Sequence, residues 1–264
     1  MTVTDTGSGT ATIDPRLRAR RIEVRRDEGR RRLHRLTALG VAAAVIVLAL
    51  GVTRSPVLDV DRVHVVGATH TAVDAVQHAT GIKRHAPMTD VNLDRARGGV
   101  LALPWVRTVS ITREWPASVE VVITERTAVA VVTAGSEGFA LVDGDGRVLE
   151  LDPEPAPGYL LLANVALPGP AGSTLDASAA DALAVAVAMP SSLRPKVSTV
   201  AAGGDGVVLR LVAGGVVRLG PATDLGPKLR AADTVLTEVD MADLCAVDVR
   251  VASAPSLTRG KSCL

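Results

Sequence analysis

The stretch VDRVHVVGATHTAVDAV, residues 60–76, is where chemistry would first be sought in this chain. A valine-rich run ends at Gly67, and polar residues lead into what reads as the start of a helix. Strand, glycine turn and helix N-terminus together form the geometry that holds phosphate groups. The residues that would complete such a site are missing. A P-loop needs Gly-Lys-Ser/Thr, and a dinucleotide fingerprint needs two more glycines at fixed spacing. Here Gly67 is followed by Ala68, Thr69, His70 and Thr71, with no lysine and no glycine before Gly81. The segment reads as a corner rather than a cradle.

Other reactive side chains also fail to assemble into a pattern. His64, His70, His78 and His85 crowd into 22 residues, but none are spaced i, i+3 or i, i+4, and no cysteine joins them. Asp143, Asp145 and Glu150 suggest a calcium loop, yet the third acid and the glutamate at position 12 are absent, so a hairpin turn is the better reading. Neither G-x-S-x-G nor S-x-x-K occurs. Aromatic residues make up 2% of the chain, too few to stack bases or sugars. These observations give no cofactor, no metal, no small-molecule substrate and no nucleic acid. Cys245 and Cys263 are the only cysteines; they could pair outside the cytoplasm, but their spacing fits neither a metal nor a redox motif.

Charge shows how the chain is positioned. Residues 1–35 carry ten arginines against five acids, although the 264-residue chain has a net charge of only +1. An uncharged run, LTALGVAAAVIVLALGVT at 36–53, follows directly. As a helix it covers about 27 Å, close to the ~30 Å hydrocarbon core of a bilayer. The arginine cluster, with Arg30, Arg31, Arg32 and Arg35 nearest the run, is the topology signal that keeps the N-terminus cytoplasmic and sends the rest outside. Two other readings compete. ALG at 49–51 could pass for a signal-peptide cleavage site, and RRLHRL at 31–36 loosely resembles a twin-arginine export signal. Against both, the leader and the apolar run are longer than a signal peptide requires.

Past a short Ser55-Pro56 linker the pattern is α+β. Val60, Val63, Val65 and Val66 make a first strand; Thr71 with Asp74 reads as a capping pair for a helix closed by Gly81. A second helix, capped by Asn92 or Thr89, carries Leu93, Ala96 and Val100 and is weakened by Gly98-Gly99. Alternating Val109 and Ile111, then Val119, Val121 and Ile123, flank a Pro116 turn and predict a hairpin with one buried face. Residues 57–125 thus read β-α-α-β-β. Beyond them, FALVDGDGRVLEL is a hairpin, with short strands expected at 159–163, 197–201, 206–212 and 215–219. Helices are expected at about 176–189 and 224–239, a last strand at 246–252, and a loose tail at 253–264.

In this order, the segments resemble the FtsQ/DivIB family of bacterial cell-division proteins. The residues that carry the likeness are PWVRTVSITREWPASVEVVITER (104–126), FALVDGDGRVL, VVRLGPATDLGPKLRAADTVL (216–236) and AVDVRVASAP (246–255). One departure is Ala128, where the family usually has a proline. The resemblance implies a basic cytoplasmic tail at 1–35, one transmembrane helix at 36–53, a POTRA domain at 57–125, a mostly antiparallel β domain with flanking helices at 126–252 and a flexible tail at 253–264. It also implies a non-enzymatic, single-pass scaffold of the plasma membrane at the division septum, which gathers FtsB and FtsL and links them to septal peptidoglycan synthases. By the same likeness the partner contacts fall on Val249, Arg250, Val251, Ala252 and Ser253. A terminal strand with unpaired backbone groups suits that role. The alternatives are a Tat- or Sec-exported enzyme and a POTRA protein of another export or assembly system.

Overall fold

The computed structural model describes residues 34–48, 51, 58–241 and 243–260. Residues 34–48 form an exposed helix, α1. The apolar run expected to span a membrane, 36–53, extends beyond them into residues outside the description, as do Arg30, Arg31 and Arg32. Among the described residues no helix is long and apolar enough to cross a membrane.

A small three-stranded sheet comes first. It is built from β1 (Arg62–Val66), α2 (Val73–Thr80), α3 (Leu93–Leu101), β2 (Val106–Glu114) and β3 (Ser118–Glu125). The spatial order is β1-β3-β2, with β1 parallel to β3 and β2 antiparallel to it. Period-2 alternation sends Val119, Val121 and Ile123 inward, where they meet Val76 of α2 and Ala96 and Val100 of α3. Asn92 caps α3 by accepting the Arg95 N–H, and Gly81 ends α2 in the left-handed region. Gly98-Gly99, expected only to weaken α3, has a packing reason: a Cβ on Gly99 would lie 2.0 Å from the Ala79 carbonyl oxygen of α2. The missing side chain lets the two helices touch.

Thr71 does not cap α2. The N-cap is Ala72, without a side-chain bond, and the Thr71 hydroxyl is buried without a hydrogen-bond partner. The N–H groups ahead of the helix are satisfied from 55 residues away instead. Glu125, at the end of β3, accepts from the backbone of Thr69, His70 and Thr71 at 2.8–3.1 Å. Its Oε2 also lies 2.9 Å from Nδ1 of His70, whose ring stacks on Trp105. Gly67 brings the loop close, with φ +88° and no room for a Cβ beside the Ile123 carbonyl.

The larger sheet holds nine strands in the order β12-β11-β10-β9-β8-β7-β4-β5-β6. They are β4 (Ala128–Thr133), β5 (Phe139–Asp143), β6 (Val148–Asp152), β7 (Leu160–Ala163), β8 (Val197–Gly203), β9 (Gly206–Leu211), β10 (Val216–Gly220), β11 (Leu244–Asp248) and β12 (Ser256–Arg259). Most neighbours are antiparallel; β4–β7, β7–β8 and β10–β11 are parallel. Two helices, α4 (Ala180–Ala188) and α5 (Leu225–Glu238), pack on the sheet, α5 through Leu229, Ala232 and Leu236. The architecture is mixed α+β, a small three-stranded unit followed by a β-rich one.

Arginines join the two sheets. Arg126 follows directly after Glu125 and donates to Asp143 at 2.5 Å and to the Val106 carbonyl at 3.2 Å. Arg147 reaches back to the carbonyls of Ala102 and Pro104 at the end of α3.

Two expectations fail at the C-terminal end. The strand expected at 246–252 stops at Asp248, and the segment expected to be a loose tail supplies β12. Strand β11 ends because the Asp248 carboxylate takes the backbone N–H of Arg250 at 3.0 Å, a side-chain turn that diverts the chain from the ladder.

Candidate partner-binding edge

Strand β12 runs antiparallel to β11, with Val247 opposite Leu257 and Asp248 opposite Ser256. It is the end of the nine-stranded order, so among the described residues its outer backbone groups have no neighbouring strand. All four of its residues are exposed. Its far end is tied down: Gly260 N–H donates to Asp243 and the Arg259 guanidinium to the Asp240 carbonyl. Cys245 on β11 is disulfide-bonded, and its Sγ lies 3.6 Å from the Gly260 carbonyl oxygen. The chain's other cysteine, Cys263, lies outside the described residues.

The five residues singled out from the sequence divide among different surroundings, because they form the β11–β12 connection and not a strand. Val249 is fully buried and its N–H continues the parallel ladder to the Arg218 carbonyl. Val251 is 61% exposed and takes part in a turn, its carbonyl accepting the Ala254 N–H. Arg250, Ala252 and Ser253 face α5. With Pro227, Arg230 and Thr234 they line an open groove of about 640 Å³. Arg250 is fixed there by Asp248, Nη2 to Oδ2 being 2.7 Å. Hydrogen bonds from the Arg250 side chain hold the Asp248 carboxyl below its usual range; burial opposes this, and the Arg250 N–H and the charges of Arg250 and Arg218 add to it. The Arg250 stem lies over Gly220, where a Cβ would come within 2.9 Å of its Cγ. Arg35 sits exposed on α1, far along the sequence from this site.

Strand β12 itself, with Leu257 as its only large apolar side chain, was not found by sequence reasoning. The available signal was the alternation of Leu257 between Ser256 and Thr258.

The arrangement offers a bare strand edge and, between α5 and the β11–β12 connection, an open groove, with no reacting group among the residues that line it. The histidines do not converge: His70 is held by Glu125, His85 lies 3.8 Å from Asp61, and His64 and His78 line a groove on the small sheet. Among the described residues no cluster of three or more His, Cys, Asp or Glu could hold a metal ion. Asp143 is occupied by Arg126 and by the N–H groups of Asp145 and Arg147.

Residues 58–126 match the family model of the FtsQ-type POTRA domain, and residues 130–250 match that of the C-terminal part of cell division protein FtsQ/DivIB. The chain belongs to the FtsQ/DivIB family. It is similar to cell division protein FtsQ of Streptomyces collinus, 29% identical over 84% of this chain and 88% of that one. The FtsQ of Streptomyces bingchenggensis is 28% identical over 88% and 90% of the two chains. That of Corynebacterium glutamicum is 31% identical, over 46% of this chain and 55% of its own length. In this FtsQ-type chain the Glu125-Arg126 pair divides its work: Glu125 closes the POTRA corner and Arg126 crosses to the next sheet.

Proposed function

We propose that this cell-division protein is a non-enzymatic, single-pass scaffold of the bacterial division complex. Its β-domain edge binds FtsB and FtsL, linking septal peptidoglycan synthases to the division ring. The observation that supports this reading best is the outer edge of β12, which no described strand pairs, together with the groove that Arg250, Ala252 and Ser253 of the β11–β12 connection line. An extended partner segment could add to such an edge through main-chain hydrogen bonds, with side chains seated alternately in the groove. In this reading Val249 shapes the edge from inside, while Arg250, Val251, Ala252 and Ser253 meet the partner.

The remaining parts follow from the same reading. The run 36–53 anchors the protein in the plasma membrane, with Arg30, Arg31, Arg32 and Arg35 keeping the N-terminus cytoplasmic. The POTRA unit at 57–125 docks other membrane proteins of the complex, and the β domain starts at 126.

The test uses proline in β12. Along an antiparallel strand successive N–H groups alternate between neighbour and solvent, so one of Leu257 and Thr258 presents its N–H outward. Of the variants Leu257→Pro and Thr258→Pro, the one that removes the outward donor loses capture of FtsB in a pull-down while circular dichroism stays unchanged. Full capture of FtsB by both variants would defeat the edge proposal.

A further inference from the structure

The end of the small sheet where the chain enters carries an exposed aromatic among cations without ion pairs. Entry is at 59–61: Val60 N–H donates to the Ala86 carbonyl, His85 N–H to the Val60 carbonyl and Asp61 N–H to the Ala117 carbonyl. These bonds bring together the start of β1, the 82–87 loop and the β2–β3 turn. Trp115 stands in that turn, 57% exposed. Arg62, Lys83 and Arg84 line an open groove of about 910 Å³ beside it, together with Glu114, while Asp59 and Asp61 stand in the entry segment, Asp61 lying 3.8 Å from His85. None of the three cations forms an ion pair with any described residue.

Chain length decides what lies opposite. Thr53 ends the apolar run, and five peptide steps separate it from Leu58; in any conformation they reach at most about 18 Å. If 36–53 is the anchor, this end of the domain cannot leave the lipid headgroup region by more than that. Tryptophan concentrates in that interfacial zone, and arginine and lysine are drawn to anionic lipid there.

We propose that this end of the POTRA unit rests on the outer face of the bilayer, with Trp115 in the interfacial zone and Arg62, Lys83 and Arg84 against anionic phospholipid headgroups. The inference rests on the membrane-anchored reading above. It gives the domain a fixed tilt, so that the nine-stranded sheet projects from the membrane and does not swing freely on its linker.

The sequence supplies its own probe, because Trp105 and Trp115 are the only tryptophans. They bracket the nine residues of β2, which span about 30 Å, and Trp105 is stacked on His70 at the opposite end. The full chain is placed in nanodiscs containing phosphatidylglycerol brominated in its acyl chains. Emission from Trp115 is expected to be quenched in the Trp105→Phe chain, and emission from Trp105 to be unaffected in the Trp115→Phe chain. Should Trp105→Phe disturb the stack, wild type against Trp115→Phe gives the same reading by difference. The variant carrying Arg62→Gln, Lys83→Gln and Arg84→Gln is expected to lose the quenching while staying in the disc. Unquenched Trp115 in a chain that the disc retains would overturn the proposal, as would quenching that survives the triple variant. Protection of the groove by poly-glutamate, without lipid quenching, would overturn it in favour of an acidic protein partner. A chain recovered in the lipid-free fraction would sink the anchored reading and this inference with it.

Discussion

Arg126 and Asp143 meet at 2.5 Å where the two sheets join, with Asp143 only 1% exposed. Asp145, at 3.2 Å, is a second and more exposed partner for the same nitrogen. The pair is hard to break from one side, because losing the guanidinium leaves a buried carboxylate unpaired. Arg126→Met is expected to destabilise the protein by about 3–5 kcal/mol at neutral pH. Adding Asp143→Asn should return part of that loss, so the two changes will not add in urea titrations.

Glu125 gives the POTRA corner a pH dependence. Burial alone would raise its pKa, but the backbone N–H groups of His70 and Thr71, the His70 ring and the Thr69 N–H outweigh it and bring the pKa from 4.5 to about 2. A lowered carboxyl pKa stabilises the fold fully above the unfolded value and loses that contribution as pH falls towards the folded one. Stability from this residue should therefore be intact above about pH 4.5 and disappear towards pH 2, amounting to roughly 3 kcal/mol at most. Denaturation of wild type and Glu125→Gln at a series of pH values checks it: the two curves converge at the acid end.

Gly99→Ala puts helix propensity against packing. Alanine is favoured over glycine within a helix by about 1 kcal/mol. Here the added methyl would enter the Ala79 carbonyl at 2.0 Å, so α2 and α3 must separate. Overpacking of this kind typically costs about 1–3 kcal/mol, and backbone is the unyielding neighbour. The expected outcome is net destabilisation by chemical denaturation, opposite in sign to the propensity. A more stable Gly99→Ala protein would contradict the close helix contact.

Cys245 of β11 is disulfide-bonded, and its Sγ lies 3.6 Å from the Gly260 carbonyl oxygen just past β12. Reduction, or Cys245→Ser, should free β12 before the rest of the sheet, because its four residues are exposed and bury little. Amide exchange at Leu257 and Thr258 should accelerate, with loss of roughly 2–4 kcal/mol in overall stability. If β12 is the docking edge, FtsB capture should weaken in the same reduced sample.

Local periodicity carried most of the fold. The alternation of Val119, Val121 and Ile123, the Leu229–Leu236 face of α5 and the Asn92 cap each depend on neighbours within a few residues, so the sequence displays them. The errors arose where a distant or side-chain partner took over the backbone. Thr71 looked like a cap, but Glu125 had already claimed the loop's N–H groups from across the sheet. The VDVRV pattern continues past Asp248 on paper, yet the carboxylate of that residue turns the chain away at Arg250. Strand β12 shows no buried alternation because it packs through its backbone, and composition does not reveal that.

The corner at Gly67 can now be described as a binding event already completed. Three consecutive N–H groups do converge there, as they would around a phosphate, and Glu125 fills the position. Because this anion is part of the same molecule, its effective concentration at the cradle is millimolar or higher. A free phosphate would have to displace a permanently attached competitor. Besides the lysine that the loop lacks, what closes the corner to ligands is occupancy, since its three backbone donors are already taken.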